Sequence, residues 1–389
     1  MDNGSSDNTD GEDSSEYTDE PISVGIFRRP EFVGIYRGIH SFGIVRGTVV
    51  RQYIVFPMNS GLVCPHRNIV GSSFYWQPQK FEVLKLLECN LFGKLPSSLG
   101  NLSYLTHLDL DGNDFTGELP DSMGNLNQLT KLILASSKLS GNFPHVLLNL
   151  SDLTTTNLHF NQLEGTLPAN MSSLSKLEYF NIGSNSFSGF VSSSLFMIPS
   201  LIHLSLERNG FNGPLEIGNI SSPSELQTLS LGGNNLKGPI PRFISKLAGL
   251  SCLDLSFWNT ISGMVDFRIF LHLKSLTFPD LSHLNTRSMV DMSLLSHLMS
   301  LSLVHLSASD NQFSGEIPKI ICELDSLDES VSVGLVSLDV SHNQLSGELP
   351  KSLINFTYLQ FLNVEDNMFN DTFPFWLRVL PGLQFLVLF

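Results

Sequence analysis

The sequence has little cysteine and no long apolar run, and each absence excludes a class of protein. Its 389 residues include four cysteines, Cys64, Cys89, Cys252 and Cys322, which lie far apart and form no C-x-x-C pair. A zinc site needs clustered ligands, and a small secreted disulfide scaffold needs more cysteines in a shorter chain. The four are therefore interpreted as core or surface thiols. No run reaches the roughly 18 to 20 apolar residues of a membrane span.

Positive charge is also scarce. The chain has 22 Lys+Arg against 37 Asp+Glu, a balance that argues against a protein that binds nucleic-acid phosphates. The first twenty residues hold eight acidic residues and no basic one. Such a segment cannot offset its chain entropy by burial, so residues 1–23 are predicted to be an acidic disordered tail. This segment lacks the basic start and apolar core of a secretory signal.

Catalytic motifs are absent from the sequence. It contains no G-x-S-x-G elbow, no phosphate-binding loop and no kinase signature, and its eleven histidines form no H-E-x-x-H. We therefore predict that the chain is not an enzyme, with no catalytic residues, no metal ligands and no cofactor.

What the sequence does contain is a repeat. Residues 105–128 read LTHLDLDGNDFTGELPDSMGNLNQ, and the pattern L-x-x-L-x-L-x-x-N-x-F/L-x-G-x-I/L-P recurs about every 24 residues. A fixed period of 20 to 50 residues indicates a solenoid. We predict an α/β solenoid, a leucine-rich-repeat horseshoe with a parallel sheet on its concave face. Copies start at Phe81, Leu105, Leu129, Leu153, Leu177, Leu201, Leu226, Leu303, Leu335 and Leu359.

Each slot of the repeat has a physical role. Alternation at period two predicts a short strand in which Leu108 and Leu110 point inward. The recurring Asn113 predicts a buried amide that bonds the backbone of adjacent coils, because a buried amide must be satisfied. Gly117 and Pro120 then turn the chain back.

The repeat divides the chain into regions. Residues 81–249 are predicted to be regular repeats, 250–302 irregular repeats or a loop-out, and 303–389 further repeats that include a short stub at 327–334. The last residues supply only one strand of a further coil, so we expect a truncated array. The flank formed by Leu362, Phe369, Phe373, Leu377 and Leu380 is accordingly expected to be covered only by a partial coil.

Residues 24–80 carry a second, weaker pattern. VGIFRRPEF, VGIYRGIHS and FGIVRGTVV repeat with period nine over residues 24–50. We interpret residues 24–80 as a low-complexity tract and linker, either disordered or forming weak hairpins around its glycines. A basic aromatic tract that contacts RNA or acidic membrane is the alternative.

The L-x-G-x-I/L-P element resembles that of the plant extracellular leucine-rich repeats. The coils GKLPSSLGNLSYLTHLDL, SDNQFSGEIPKIICELDSL and SLDVSHNQLSGELPKSLINFTYLQFLNVEDN look like plant receptor-like proteins in particular. The resemblance covers about residues 81–389. It implies an ectodomain that perceives extracellular ligands in defence or development and signals through partner receptor kinases, at the plasma membrane or outside the cell.

The sequence departs from that family in lacking a signal peptide, paired-cysteine caps and a membrane helix. Two alternatives therefore stay open. One is a soluble inhibitor similar to the polygalacturonase-inhibiting proteins, which use the same repeat. The other is a nonfunctional remnant that remains inside the cell. The expected partners are a protein or peptide ligand and a receptor-kinase co-receptor, with no nucleic acid.

The outward side chains of the strands are the candidate binding surface, since an open sheet face suits a partner. Partner-binding candidates are His107, Asp109, Lys131, Thr155, Asn157, Tyr179, Asn181, His203, Ser205, Thr228, His305 and Phe361. The N-x-S/T sequons predict glycosylation sites if the chain is secreted. They begin at Asn101, Asn149, Asn170, Asn219, Asn355 and Asn370.

Overall fold

A computed structural model of the chain describes ten segments. They comprise residues 24–27, 32–35, 62–63, 82–217, 224–260, 267–284, 290–291, 303–318, 334–370 and 373–388. None of the helices in these segments has the length and apolar character of a membrane-spanning segment.

One strand from each coil enters a 14-stranded parallel sheet. Each strand is short because only a few residues of the repeat alternate at period two. The central residue of the strand, a leucine in most coils, is buried, and the residues on either side of it face outward. Strand order follows the chain, as expected for a solenoid whose coils contact only their neighbours. The strands are Leu62–Val63, Val83–Lys85, His107–Asp109, Lys131–Ile133, Thr155–Asn157, Tyr179–Asn181, His203–Ser205, Thr228–Ser230, Cys252–Asp254, Phe278–Asp280, His305–Ser307, Ser337–Asp339, Phe361–Asn363 and Phe385–Val387.

Most of the described coils also carry a second short strand, a 3-10 helix, or both, away from this sheet. Helices that follow a proline start directly after it, since the ring fixes φ where no N–H partner is needed. The second strands are Phe92–Lys94, Asp114–Gly117, Lys138–Asn142, Gln162–Thr166, Ser186–Gly189, Gly210–Gly213 and Asn235–Leu236, then Val290–Asp291, Phe313–Gly315, Gln344–Gly347 and Met368–Phe369. The 3-10 helices are Ser97–Asn101, Asp121–Asn125, His145–Asn149, Ser193–Met197, Arg242–Lys246, Phe267–His272, Lys351–Asn355 and Phe375–Val379.

The asparagine slot ties each coil to the one before it, as predicted. Asn113 Oδ1 accepts hydrogen bonds from the backbone N–H groups of Cys89 and Leu91, at 3.1 and 2.9 Å. Its Nδ2 donates to the carbonyls of Leu86 and Leu110, both at 2.7 Å. The same pattern recurs at Asn161, Asn185, Asn209, Asn234, Asn311, Asn343 and Asn367.

Four of the described coils place another residue in this slot, among them the coil that starts at Leu276, where the buried Leu284 occupies it. Cys89 is buried in the first coil. Ser137 is buried in the third, and its Oγ has no hydrogen-bond partner within the described residues. Trp258 fills the slot of the coil that starts at Leu250, where its Nε1 donates to the carbonyl of Gly238 at 3.0 Å. The sequence analysis did not place Trp258 there.

Ser137→Asn is expected to stabilise the array by about 1 kcal/mol, because the amide would gain the backbone partners that a short hydroxyl does not reach. The next coil shows the geometry: Asn161 Nδ2 donates to the carbonyl of Leu134 at 2.8 Å. The urea midpoint of unfolding measures the effect. Ser97→Asn, at an exposed serine, is the control and should change stability by less than about 0.5 kcal/mol. A lower midpoint for Ser137→Asn would contradict this account of the slot.

The irregular region continues the sheet on its concave side. Phe278–Asp280 pairs in parallel with Cys252–Asp254, and Asp280 pairs with Ser307 of the next coil. Pro279 stands opposite Leu253, in the slot of the central leucine. The sequence predicts irregular repeats or a loop-out over residues 250–302, and the described residues of this range up to 284 contribute two strands to the sheet. Residues 285–302 lie outside the described segments, except for strand Val290–Asp291.

The last coil is covered better than the sequence led us to expect. Leu362, Leu377 and Leu380 of this flank are buried, so the partial coil is enough to cover these three. The reason is that strand Phe385–Val387 pairs with Phe361–Asn363 and closes over them. Phe373 is exposed.

Of the N-terminal region, two short strands form one antiparallel pair, Val24–Phe27 with Phe32–Ile35. They fall in the nonapeptide repeat, on either side of residues 28–31, which lie outside the described segments. The acidic tail, the rest of the nonapeptide tract, Cys64 and Cys322 lie outside the described residues.

Candidate ligand-binding face

All twelve predicted partner-binding residues lie on the outward side of the 14-stranded sheet. They form two columns, because each strand contributes its first and third residues to the same face. In the first column His107 pairs with Lys131, and Tyr179 pairs with His203. The first column holds His107, Lys131, Thr155, Tyr179, His203, Thr228, His305 and Phe361, and the second holds Asp109, Asn157, Asn181 and Ser205. We call this surface the open face.

Tyr179 and His203 form the aromatic centre of the open face. Their rings stack with centroids 4.2 Å apart and planes 5° apart. Asn181 Nδ2 lies 3.3 Å from the Tyr179 hydroxyl, and His203 Nε2 is buried with no hydrogen-bond partner among the described residues. Burial lowers the pKa of His203 below its ordinary value of 6.5, so the imidazole is neutral at pH 7. The pair offers a flat, uncharged aromatic surface.

Two more aromatic pairs lie farther along the array, one on the open face and one in the turns that follow two of its strands, and the sequence analysis missed them. Phe278 stacks on His305 with centroids 5.3 Å apart. Phe257 stacks on His283 at 4.2 Å. The strand that contains Phe278 is difficult to recognise from the sequence, because Pro279 replaces the leucine that marks the centre of such strands. The signal that would have found this strand is the repeated Asp-Leu-Ser of residues 254–256 and 280–282.

Charge changes sign along the open face. Near its start, Lys85 and Lys131 flank His107, and burial together with these two cations lowers the pKa of His107. Farther along, Asp254 pairs with Asp280 in adjacent strands. Burial raises the pKa of Asp254, and the nearby charges of Asp280 and Glu207 raise it further. The face therefore runs from a basic end to an acidic region.

Cys252 lies beside this acidic region, two residues before Asp254. Burial raises the pKa of its thiol, and the charges of Asp254, Glu207 and Asp280 add to the effect. The thiolate is the nucleophilic form of cysteine, so this environment disfavours covalent chemistry. No group of three or more potential metal ligands occurs in the described segments.

Ser205 differs from the other predicted face residues because it is buried, with 4% of its surface exposed. Its short side chain lies below its taller neighbours.

Among the sequons, Asn101, Asn149 and Asn355 end 3-10 helices on the side away from the open face, and their side chains are exposed. Asn170 and Asn370 are also exposed, and Asn219 lies outside the described residues. Their glycosylation stays a prediction.

Family models match the repeats directly. A leucine-rich repeat region model matches residues 79–259, and a leucine rich repeat model matches 302–324 and 334–356. The two models together cover the array from residue 79 to residue 356, except for residues 260–301 and 325–333.

Curated relatives and solved structures point to the same family. Receptor-like protein 48 of Arabidopsis thaliana is 46% identical, over 45% of this chain and 37% of the relative. Receptor-like protein 47 of the same plant is 42% identical, over 45% of this chain and 35% of the relative. The chain thus spans only about a third of the length of these relatives.

Among solved structures, the plant peptide hormone receptor RGFR1 in complex with RGF2 is 26% identical with a TM-score of 0.65, and the match covers 79% of this chain and 47% of that one. Its likeness agrees with the stacked parallel strands described above. The chain belongs to the leucine-rich-repeat proteins, and its repeats are similar to those of the plant receptor-like proteins.

Proposed function

We propose that the chain is a receptor-like, non-enzymatic binding module that takes a peptide along its open face. The observation that carries this proposal is the stacked pair Tyr179 and His203, which is half-exposed at the middle of the face. Rigid aromatic side chains supply large contact area at low entropic cost, and they are typical binding hot spots.

The dimensions of the open face suit an extended peptide. Eight strands run from the one that contains His107 to the one that contains Phe278. At about 4.8 Å between strands they span roughly 34 Å, which is the length of about ten extended residues. The small side chains of Ser205 and Ser230 leave room between the taller ones. A peptide rather than a globular protein surface fits such a narrow track.

The relatives give this proposal its biological setting. The similar structure of RGFR1 is that of a plant peptide hormone receptor in complex with RGF2, and the similar GASSHO1/SCHENGEN3 ectodomain is in complex with CASPARIAN STRIP INTEGRITY FACTOR 2. By analogy, we propose that ligand binding here serves perception of an extracellular signal in defence or development. Signalling would pass through a partner receptor kinase.

The test is a selection of random twelve-residue peptides displayed on phage against the full chain. Peptides that the wild-type chain enriches should bind a Tyr179→Glu/His203→Glu variant at least tenfold more weakly, because two carboxylates replace the stacked rings. Fluorescence anisotropy measures the affinities. The matched control is Tyr358→Glu/His145→Glu, which changes an exposed tyrosine and histidine away from the open face and should leave binding unchanged. Equal binding by both double variants would refute the assigned face.

An inhibitor of secreted polygalacturonase is the alternative that uses the same repeat. The two functions are distinguished by adding the purified chain to a polygalacturonase and measuring the rate of pectin cleavage. Under the receptor-like proposal the rate stays unchanged. A concentration-dependent fall in the rate would favour the inhibitor.

A further inference from the structure

The acidic region of the open face has the composition of a site for a guanidinium group. Asp254 and Asp280 project from adjacent strands that pair in register, which places the carboxylates side by side. Each carboxylate is oriented by the serine two residues later: Asp254 Oδ1 accepts from the Ser256 N–H at 2.9 Å, and Asp280 Oδ1 accepts from the Ser282 hydroxyl at 2.7 Å. The two acids are therefore fixed in direction before any ligand arrives.

Nothing in the described part of the chain neutralises these two acids. The ion pairs there join other residues, and the charges that act on Asp254 are those of Asp280 and Glu207, which are also negative. Folding thus holds like charges together on a partly buried surface, at a cost in free energy. A bound cation would remove that cost.

Two exposed aromatic residues belong to the same two coils as the carboxylates. Phe278 precedes Asp280 by two residues on the same strand and is 42% exposed. Phe257 follows Asp254 by three residues and is 52% exposed. Their histidine partners, His305 and His283, hold these rings in place by stacking. Exposed aromatic faces beside carboxylates bind arginine well, because the guanidinium is planar, stacks on rings and pairs with carboxylates in a bidentate manner.

Polar groups without partners lie in the same region, and this observation is independent of the charges. Ser205 and Ser230 occupy the same column as Asp254, on the two preceding strands. Their side chains are 4% and 8% exposed, and no hydrogen bond to either hydroxyl is found among the described residues. His283 Nδ1 is likewise buried without a partner there. The two serine hydroxyls are therefore available to hydrogen-bond a ligand on the open face beside Asp254.

We propose that Asp254 and Asp280, together with the nearby rings of Phe257 and Phe278, bind an arginine side chain of the peptide ligand. This inference rests on the proposed function, since it assigns one position of the peptide that the open face would hold. It also sets the direction of the peptide, with its basic residue at the acidic region and its acidic or neutral part toward Lys85 and Lys131.

The probe is an acetylated, amidated and fluorescently labelled twelve-residue peptide of alternating Gly and Ser with Arg-Arg at its centre. Anisotropy at low salt should show saturable binding by the full wild-type chain. Binding should be at least tenfold weaker for Asp254→Asn/Asp280→Asn, which keeps the shape of both side chains. The matched control, Asp121→Asn/Glu164→Gln, removes two exposed charges elsewhere and should bind as wild type. Citrulline in place of arginine should abolish binding.

Two results would overturn the inference: absence of saturable binding by the wild-type chain, or equal binding by the Asp254→Asn/Asp280→Asn variant. The phage-selected peptides separate this failure from failure of the proposed function. If those peptides depend on Tyr179 and His203 but not on Asp254 and Asp280, the open face remains the binding surface and the arginine site is wrong. If they depend on neither pair, both proposals are wrong.

Discussion

Trp258→Ala is expected to lower the free energy of unfolding by about 4 kcal/mol, the largest single effect in the array. The indole is only 1% exposed and fills the slot that asparagine occupies in most coils. Its removal leaves a cavity between two coils and takes away the donor to the Gly238 carbonyl. Because coils are stabilised mainly by their neighbours, the loss weakens the junction on which the following coils depend. Urea unfolding followed by circular dichroism measures it.

The neighbouring Phe257→Ala variant is the control for Trp258. Phe257 is 52% exposed, so its truncation should cost no more than about 1 kcal/mol. Similar losses for the two variants would mean that Trp258 is not the packing element of its coil.

Asn113→Ala should destabilise the chain by about 3 kcal/mol. The change leaves the backbone N–H groups of Cys89 and Leu91 without their acceptor and the carbonyls of Leu86 and Leu110 without a donor. Each buried group left unsatisfied costs about 1 to 3 kcal/mol, and partial relaxation of the coil reduces the sum. The same unfolding measurement applies.

Asn127→Ala provides the matched control, because Asn127 is exposed in the same coil. It should remain within about 0.5 kcal/mol of wild type. If Asn113→Ala behaved like Asn127→Ala, the hydrogen bonds between coils would not contribute to stability as described.

The fold could be predicted from the sequence because the spacing of residues within the repeat defines the geometry of each coil. Leu108 and Leu110 are two residues apart, which is the side-chain period of a strand, and the asparagine seen at Asn113 recurs once in most coils. A single substitution in a slot defeats this kind of pattern. Pro279 concealed a strand that is nevertheless in register, and Trp258 concealed the asparagine slot. In both cases the neighbouring coils fix the local structure.

The candidate site was predictable only as a face. Tyr179 and His203 were assigned to the outward column from the repeat alone, but their stacking depends on ring orientation, which sequence spacing does not define. Asp254 and Asp280 required the register across the irregular coil. The burial of Ser205 depends on the height of its neighbours, which is a property of the folded surface.

Hydroxyl-radical footprinting of the full chain, with and without a phage-selected peptide, tests most directly whether the open face is the recognition surface. The account predicts that the oxidation rates of Tyr179, His203 and Phe278 fall when the peptide binds. Tyr104 and Tyr358, exposed away from that face, should be oxidised at unchanged rates. Protection of Tyr104 and Tyr358 with no protection of Tyr179 and His203 would place the ligand on the opposite side of the solenoid and contradict the central claim.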